Sequence, residues 1–336
     1  MNNPRTAVII VNTGTPNSPA VKDVRKYLRE FLGDGRVINM PWLFRKILVN
    51  FIIAPIRGPK SAKLYEAIWT SEGSPLLVNS YKFGKALQHE LGDNYKVITA
   101  MRYGLPSMKK AVQKVTNDEF SRIVLFPLYP QYADSTTGTI VAEFERLAAK
   151  YLVRKEIRII EPFFNNQGFI DAFSTKIKAF TPNSYDHLLF SFHGLPVKQT
   201  EKMHPGLTCS EANCENEYNS INENCYNASC HETARLIAAN LSIDKNRYTV
   251  TFQSRLGMNW LKPYTDIVLA EMPSKELKRV LVASPAFVAD CLETIHEIGV
   301  EYVHLFKKNG GEDLTLVNSL NDDTVWVKAA AKMVVY

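Results

Sequence analysis

Eight short apolar runs, rich in β-branched residues and separated by longer helical patterns, constrain this chain most. They are "AVIIVN" (7–12), "KVITAMR" (96–102), "RIVLFPLY" (122–129), "EIRIIEP" (156–162), "HLLFSFH" (187–193), "YTVTFQS" (248–254), "RVLVASP" (279–285) and "EYVHLF" (301–306). Several are continuous rather than alternating, the pattern of parallel strands covered on both faces. Helical stretches between them call for βαβ units and a doubly wound α/β fold. The two halves also repeat each other. "AVIIVNTGTP" resembles "LLFSFHGLP", "YKVITAMRYGLP" resembles "YTVTFQSRLGMN", and "RIVLFPLYPQYADSTTGTIVAEFE" resembles "RVLVASPAFVADCLETIHEIG". We read an internal duplication of a four-stranded half, with the join near 165–184 and halves at 1–165 and 166–336.

Ligands of open α/β sheets sit beyond the carboxyl ends of the strands. That rule gathers Thr13, Arg102, Tyr129–Ser135, His193, Arg255 and Phe287–Glu293 at one or two binding edges. Gly14 stands alone where a dinucleotide fingerprint would need G-x-G-x-x-G, and no phosphate-loop motif occurs. "DSTTG" after the third run is a weak candidate for an anion nest. The net charge of +6 is mild and no long Lys/Arg run occurs, so an acidic small molecule or an anionic membrane surface fits better than nucleic acid. "MNNPRTAVIIVNTGTP" reads as a first strand and not a signal peptide. A cytosolic setting follows, in which disulfides rarely persist.

"MPWLFRKILVNFIIAPIRG" (40–58) is the greasiest segment. Arg45, Lys46 and Asn50 interrupt it, and it is too short to span a bilayer. One reading is a partly buried helix. The other is an exposed apolar lip that guards a hydrophobic pocket or touches lipid, with Arg45, Lys46 and Arg57 facing phosphates.

Four of the five cysteines, Cys209, Cys214, Cys225 and Cys230, crowd into a polar stretch as two C-x4-C pairs. That stretch has too little apolar surface to order itself. Four thiols in a cytosolic protein point to a metal centre rather than disulfides.

His193 ends a strand just before a Gly-Leu-Pro turn, at the binding edge. It is either a hydrogen-bonded structural histidine or a functional one. Glu293, Glu297 and Glu301 recur every four residues and share one face if helical, either as a solvated face or as a carboxylate row. A His and a carboxylate that meet at a strand edge bind a divalent metal, exchange protons, or both. On these residues alone, a metal-dependent lyase, hydrolase or isomerase fits equally well.

"RYGLP" (102–106), "YPQYADSTTG" (129–138), "FSFHGLP" (190–196), "FQSRLG" with "WLKPYT" (252–265) and "FVADCLETIHEIGVEY" (287–302) stand in the order and spacing of the ferrochelatases. The resemblance runs from about Asn3 to Phe306 and beyond. It implies two Rossmann-like halves with a porphyrin cleft between them, and insertion of Fe2+ into protoporphyrin IX. His193 and Glu293 match the family's active-site pair, and Glu297 and Glu301 would extend a carboxylate track for iron, on a helix with distorted, wide turns. Arg57, Tyr65 and Ser74 match porphyrin-contacting positions, and segment 40–58 matches the apolar lip. Thr13, Arg102, Tyr103 and Tyr132, in or beside the strand-end motifs, complete the expected porphyrin set.

Two departures mark this chain. Cys291 stands where some members carry a His, which argues against a His/His/Glu iron site here, and it reads as a small buried hydrophobe. Asp134 and the cysteine-free C-terminus rule out a C-terminal cluster. A subset of bacterial ferrochelatases instead resembles this chain in carrying four internal cysteines that bind a [2Fe–2S] cluster. That is the favoured cofactor here, with zinc second. A coproporphyrin- or cobalt-inserting chelatase and a non-catalytic tetrapyrrole- or metal-binding protein stay open as alternatives, as does oligomeric state.

Overall fold

The computed structural model describes residues 5–117, 119–204 and 206–336. Residues 1–4, where the expected first half and the resemblance begin, lie outside the described residues.

Two parallel four-stranded sheets form. The first contains β1 (Arg5–Thr15), β2 (Tyr95–Gly104), β3 (Phe120–Pro127) and β4 (Glu156–Ile159) in the order β2-β1-β3-β4. The second contains β5 (His187–His193), β6 (Tyr248–Gln253), β7 (Arg279–Ala283) and β8 (Asp313–Leu316) in the order β6-β5-β7-β8. In both, the first strand in sequence runs inside the sheet, so it is buried on both faces. Ala7 to Val11 have no exposed surface, and Leu188 to Phe192 are buried likewise. This is why both runs are unbroken rather than alternating. Helices cover each sheet: residues 139–151 and 108–114 pack on one face of the first, with Ile140, Phe144 and Leu147 in its core.

The repeated order supports the duplication, and so do two glycines. Gly14 is the next-to-last residue of β1, with φ of 116°, and a Cβ there would lie 1.8 Å from the Tyr103 carbonyl oxygen. Gly194 follows β5, and a Cβ there would lie 2.8 Å from the Gln253 carbonyl oxygen. Each lets the end of the inner strand press on its neighbour where a side chain would not fit.

Two expectations need correction. "EYVHLF" (301–306) is not a strand but the end of a long helical stretch, Glu293–Tyr302 followed by Val303–Lys308. Ile298, Tyr302 and Phe306 are four apart and buried on one face, a helical period that outweighs the β propensity of the segment. The eighth strand lies after Gly310–Gly311, at Asp313–Leu316. The division into halves is also not one cut at 165/166. The chain forms two compact units: 1–129, 133–161 and 321–336 make the first, and 130–132 with 162–320 the second. The last helix, Thr324–Val335, returns to the first unit because its apolar side finds its cover there. Trp326 is fully buried and stacks on Phe83 at 5.6 Å, and the Arg158 guanidinium donates to the carbonyls of Met333 and Val334. Among the described residues, no helix is long and apolar enough to cross a membrane.

Candidate functional site

In the second unit, β5 delivers His193 to its carboxyl end. Its Nδ1 donates to the Gly194 carbonyl at 2.7 Å. A carbonyl only accepts, so the proton sits on Nδ1 and Nε2 keeps a free lone pair. The ring stands edge-on to Phe287, with centroids 6.3 Å apart. His193 pairs in register with Gln253 on β6, whose side-chain amide donates to the Glu293 carbonyl at 3.5 Å.

Residues 293–302 form a wide π-helix, as expected for a distorted helix. Its carboxylates have three different environments. Glu293, at the first turn, is half-buried. Glu297 points inward: the Ser254 N–H (2.9 Å) and hydroxyl and the Tyr302 hydroxyl (2.7 Å) all donate to it. Burial raises its pKa against the pull of those donors. The nearby charge of His193 lowers it, and that of Glu293 raises it. These couplings show that the three groups share one electrostatic neighbourhood. Glu301 is exposed and pairs with His296 at 3.4 Å, an i, i+5 contact that suits the wide turn. Sequence reasoning missed Ser254 and Tyr302, since neither stands out without the tertiary fold. Cys291 is buried as expected, its thiol pKa pushed up by desolvation.

In the first unit, the expected porphyrin residues have diverse surroundings. Arg102 pairs with Asp34 at 2.7 Å and donates to the Thr139 hydroxyl at 2.8 Å. Tyr103 is buried and its hydroxyl donates to Asp34 at 3.0 Å. Burial works to raise the Asp34 pKa, but the Thr139 hydroxyl, the Arg36 N–H, Tyr103 and Arg102 together hold it below the usual value. Tyr103 thus faces the fold's interior. Ser74 is buried too and accepts from the Thr15 hydroxyl at 2.8 Å. Thr13 and Tyr65 are half-buried, Tyr65 lying edge-on to Tyr27 and Trp69, while Arg57 is exposed. Tyr132, which groups with the second unit, is half-buried.

Segment 40–58 folds as a helix (Trp42–Ile47), a wide π-turn (Leu48–Ile53) and the start of a third helix (Ala54–Ile68). Trp42, Leu43, Phe44, Ile47, Phe51, Ile52 and Ile56 are all exposed, Phe51 by 76%. The segment is thus helical, with Val49, Ala54 and Gly58 buried and an apolar surface left exposed. Arg45 does not face outward. It donates to the carbonyls of Gly33, Ile38 and Met40 and so pins the preceding loop. Lys46 lies over the Trp42 ring at 4.8 Å.

The cysteine stretch forms a small satellite core whose only other buried apolar members are Ala212 and Ala228. Cys225 Sγ lies 3.7 Å from Cys214 Sγ and 3.9 Å from Cys209 Sγ. The fourth member of the group is His204, whose Nε2 lies 3.6 Å from Cys214 and 3.7 Å from Cys209. Those four side chains converge within 4.8 Å, and they are the one such His/Cys/Asp/Glu group among the described residues. Cys230 sits apart, fully buried beside the Tyr226 hydroxyl. A [2Fe–2S] cluster takes two thiolates on each iron, so only two sulfurs should approach this closely. The four-cysteine ligand set does not fit this arrangement. Its missed member, His204, continues the spacing as H-x4-C-x4-C.

A profile of the ferrochelatase family matches residues 5–336. The chain is 43% identical to the ferrochelatase of Coxiella burnetii over 338 residues, covering 99% of this chain and 94% of the relative. It is 40% identical to the ferrochelatase of Legionella pneumophila subsp. pneumophila over 331 residues, covering 98% of each. Among solved structures, the sirohydrochlorin chelatase SirB of Bacillus subtilis subspecies spizizenii, in complex with cobalt, superposes with a TM-score of 0.56 at 10% identity, over 98% of this chain and 94% of that one. That likeness is one of fold.

Proposed function

Because this chain belongs to the ferrochelatase family, the metal chelatases of haem biosynthesis, we propose that it inserts Fe2+ into protoporphyrin IX and that His193 and Glu293 carry the reaction. The chemistry sets two tasks. Two pyrrole N–H protons must leave the macrocycle, and a hydrated ferrous ion must exchange its waters for four nitrogens. A base with a free lone pair serves the first, and anionic oxygen ligands serve the second.

The observation that carries the reading is the tautomer of His193 beside two carboxylates. With Nδ1 bound to Gly194, Nε2 is the proton acceptor. Glu293 offers the neighbouring anionic oxygens. Glu297, kept rigid by Ser254 and Tyr302, stabilises the imidazolium that forms and, with its raised pKa, accepts a proton more readily than an exposed carboxylate. Glu301, exposed at the outer end of the wide helix, is the first carboxylate of the track to meet incoming iron. The apolar lip favours protoporphyrin, the less carboxylated substrate, and gives the protein a peripheral foothold on a membrane.

The test is an anaerobic assay of Fe2+ insertion into protoporphyrin IX, with coproporphyrin III alongside. Faster haem formation from protoporphyrin is expected. No insertion into either removes the activity, and a preference for coproporphyrin removes the substrate.

A further inference from the structure

We propose that His204, Cys209, Cys214 and Cys225 form a mononuclear tetrahedral metal site of the kind zinc occupies, and that this site positions His193 through Tyr226. The second half rests on the catalytic role of His193 given above; the first does not.

Bond lengths carry the first half. A tetrahedral zinc with Zn–S of about 2.3 Å and Zn–N of about 2.0 Å sets its sulfurs about 3.8 Å apart and each sulfur about 3.6 Å from the nitrogen. The measured S···S separations are 3.7 and 3.9 Å, and the S···N separations 3.6 and 3.7 Å. The imidazole is also prepared as a ligand. His204 Nδ1 donates to the Leu207 carbonyl at 3.0 Å, which leaves Nε2 to face the sulfurs. Holding the remote N–H on a backbone carbonyl is the usual support of a metal-binding histidine. The Thr200 hydroxyl reaches Cys209 Sγ at 3.5 Å. Around them the loop has little that is apolar to hold it beyond Ala212, Ala228 and Tyr218, whose ring meets Phe164 edge-on, and it is otherwise tied by hydrogen bonds, among them those of Asn222 to Ala212, Glu217 and Asn219. A metal cross-link supplies the order that burial does not.

Connectivity carries the second half. Cys225 is the N-cap of the helix Tyr226–Asn240. The next residue, Tyr226, is buried and its hydroxyl donates to the His193 carbonyl at 2.8 Å. One peptide bond therefore separates a ligand from the residue that fixes the end of β5.

The full-length chain, purified without added metal, is assayed for metals and acid-labile sulfide, then exchanged with Co2+. About one metal per chain, no sulfide and the intense visible bands of tetrahedral thiolate-bound Co2+ are expected. Cys230→Ser and His193→Ala should keep the metal. Cys209→Ser should lose it, and His204→Ala should weaken Zn2+ binding about tenfold or more in chelator competition. Two irons and two sulfides per chain, or loss of metal in Cys230→Ser but not in His204→Ala, would overturn the site. For the positioning role, Tyr226→Phe should keep the metal yet shift the pH profile of kcat/KM. An unmoved profile in that metal-loaded variant overturns the coupling and leaves the site standing.

Discussion

Thr13 and His193 stand near the carboxyl ends of the inner strands of the two sheets, each just before a glycine that presses on the neighbouring strand. Arg102, near the end of β2, and Arg255, just beyond β6, likewise belong to equivalent strand ends. Yet the two ends differ in what they leave available. In the first unit, Arg102, Tyr103, Asp34 and Thr139 close into a satisfied, largely buried network. In the second, Arg255 spends its charge on the half-exposed Asp266, and His193 keeps a free nitrogen beside Glu293 and Glu297. The first unit instead carries the exposed apolar lip. Two sheets of the same strand order thus carry different surroundings: one unit closes its strand end with paired groups and presents an exposed apolar surface, and the other leaves a histidine and carboxylates together. Where every polar group is paired, the arrangement contributes stability. Where one is left over, it can do chemistry.

Substitutions should separate these uses. The largest effect belongs to His193→Ala, which should cut kcat for iron insertion on the order of 100-fold or more with little change in melting temperature. Near-normal kcat at saturating Fe2+ would dissolve the contrast between the two strand ends.

Asp34→Ala should act in the opposite sense. It leaves Arg102 with a buried charge and no carboxylate, costing about 3 kcal/mol of stability by denaturant unfolding, while kcat per folded molecule stays within about twofold. A loss of kcat without loss of stability would show that the network is part of the chemistry after all.

Within the wide helix, Glu297→Gln should lower kcat about tenfold, against less than about threefold for Glu301→Gln, with Glu293→Gln at least as damaging as the former. Glu297→Gln should also change the pH dependence of stability. The raised pKa means the folded protein binds the proton more tightly than the unfolded chain. That contribution is fully present below the ordinary value of 4.5 and is lost as pH rises through the raised value. The variant should lack this decline. Equal, small losses for all three would mean a merely solvated carboxylate row.

The smallest effect is expected at the lip. Trp42→Ser, Leu43→Ser and Phe44→Ser together should raise KM for porphyrin severalfold, leave kcat unchanged, and weaken sedimentation with anionic vesicles. A fall in kcat without a change in KM would place the lip in the chemical step. Vesicle binding of the parent should weaken as salt rises, since the attraction of Lys46 and Arg57 is screened.

Much of this was written in the order of residues. Unbroken apolar runs specified inner parallel strands, because burial on both faces leaves no place for polar alternation. The paired glycines, the strand-end His193 and the four-residue spacing of glutamates were legible for the same local reasons. What the sequence could not settle were choices between partners far apart in the chain. Period and propensity competed at 301–306, and packing of Ile298, Tyr302 and Phe306 decided for helix. Arg45 looks like an outward-facing surface charge on paper, but three carbonyls claim it. Cysteine spacing marked a candidate metal loop, yet which side chains could be ligands is a matter of which converge. His204 does and Cys230 does not, because helix geometry from Tyr226 onward turns Cys230 into the interior while the turn before Cys209 brings the imidazole round. Local pattern fixes elements, and only the folded chain decides which polar groups are already spent on one another.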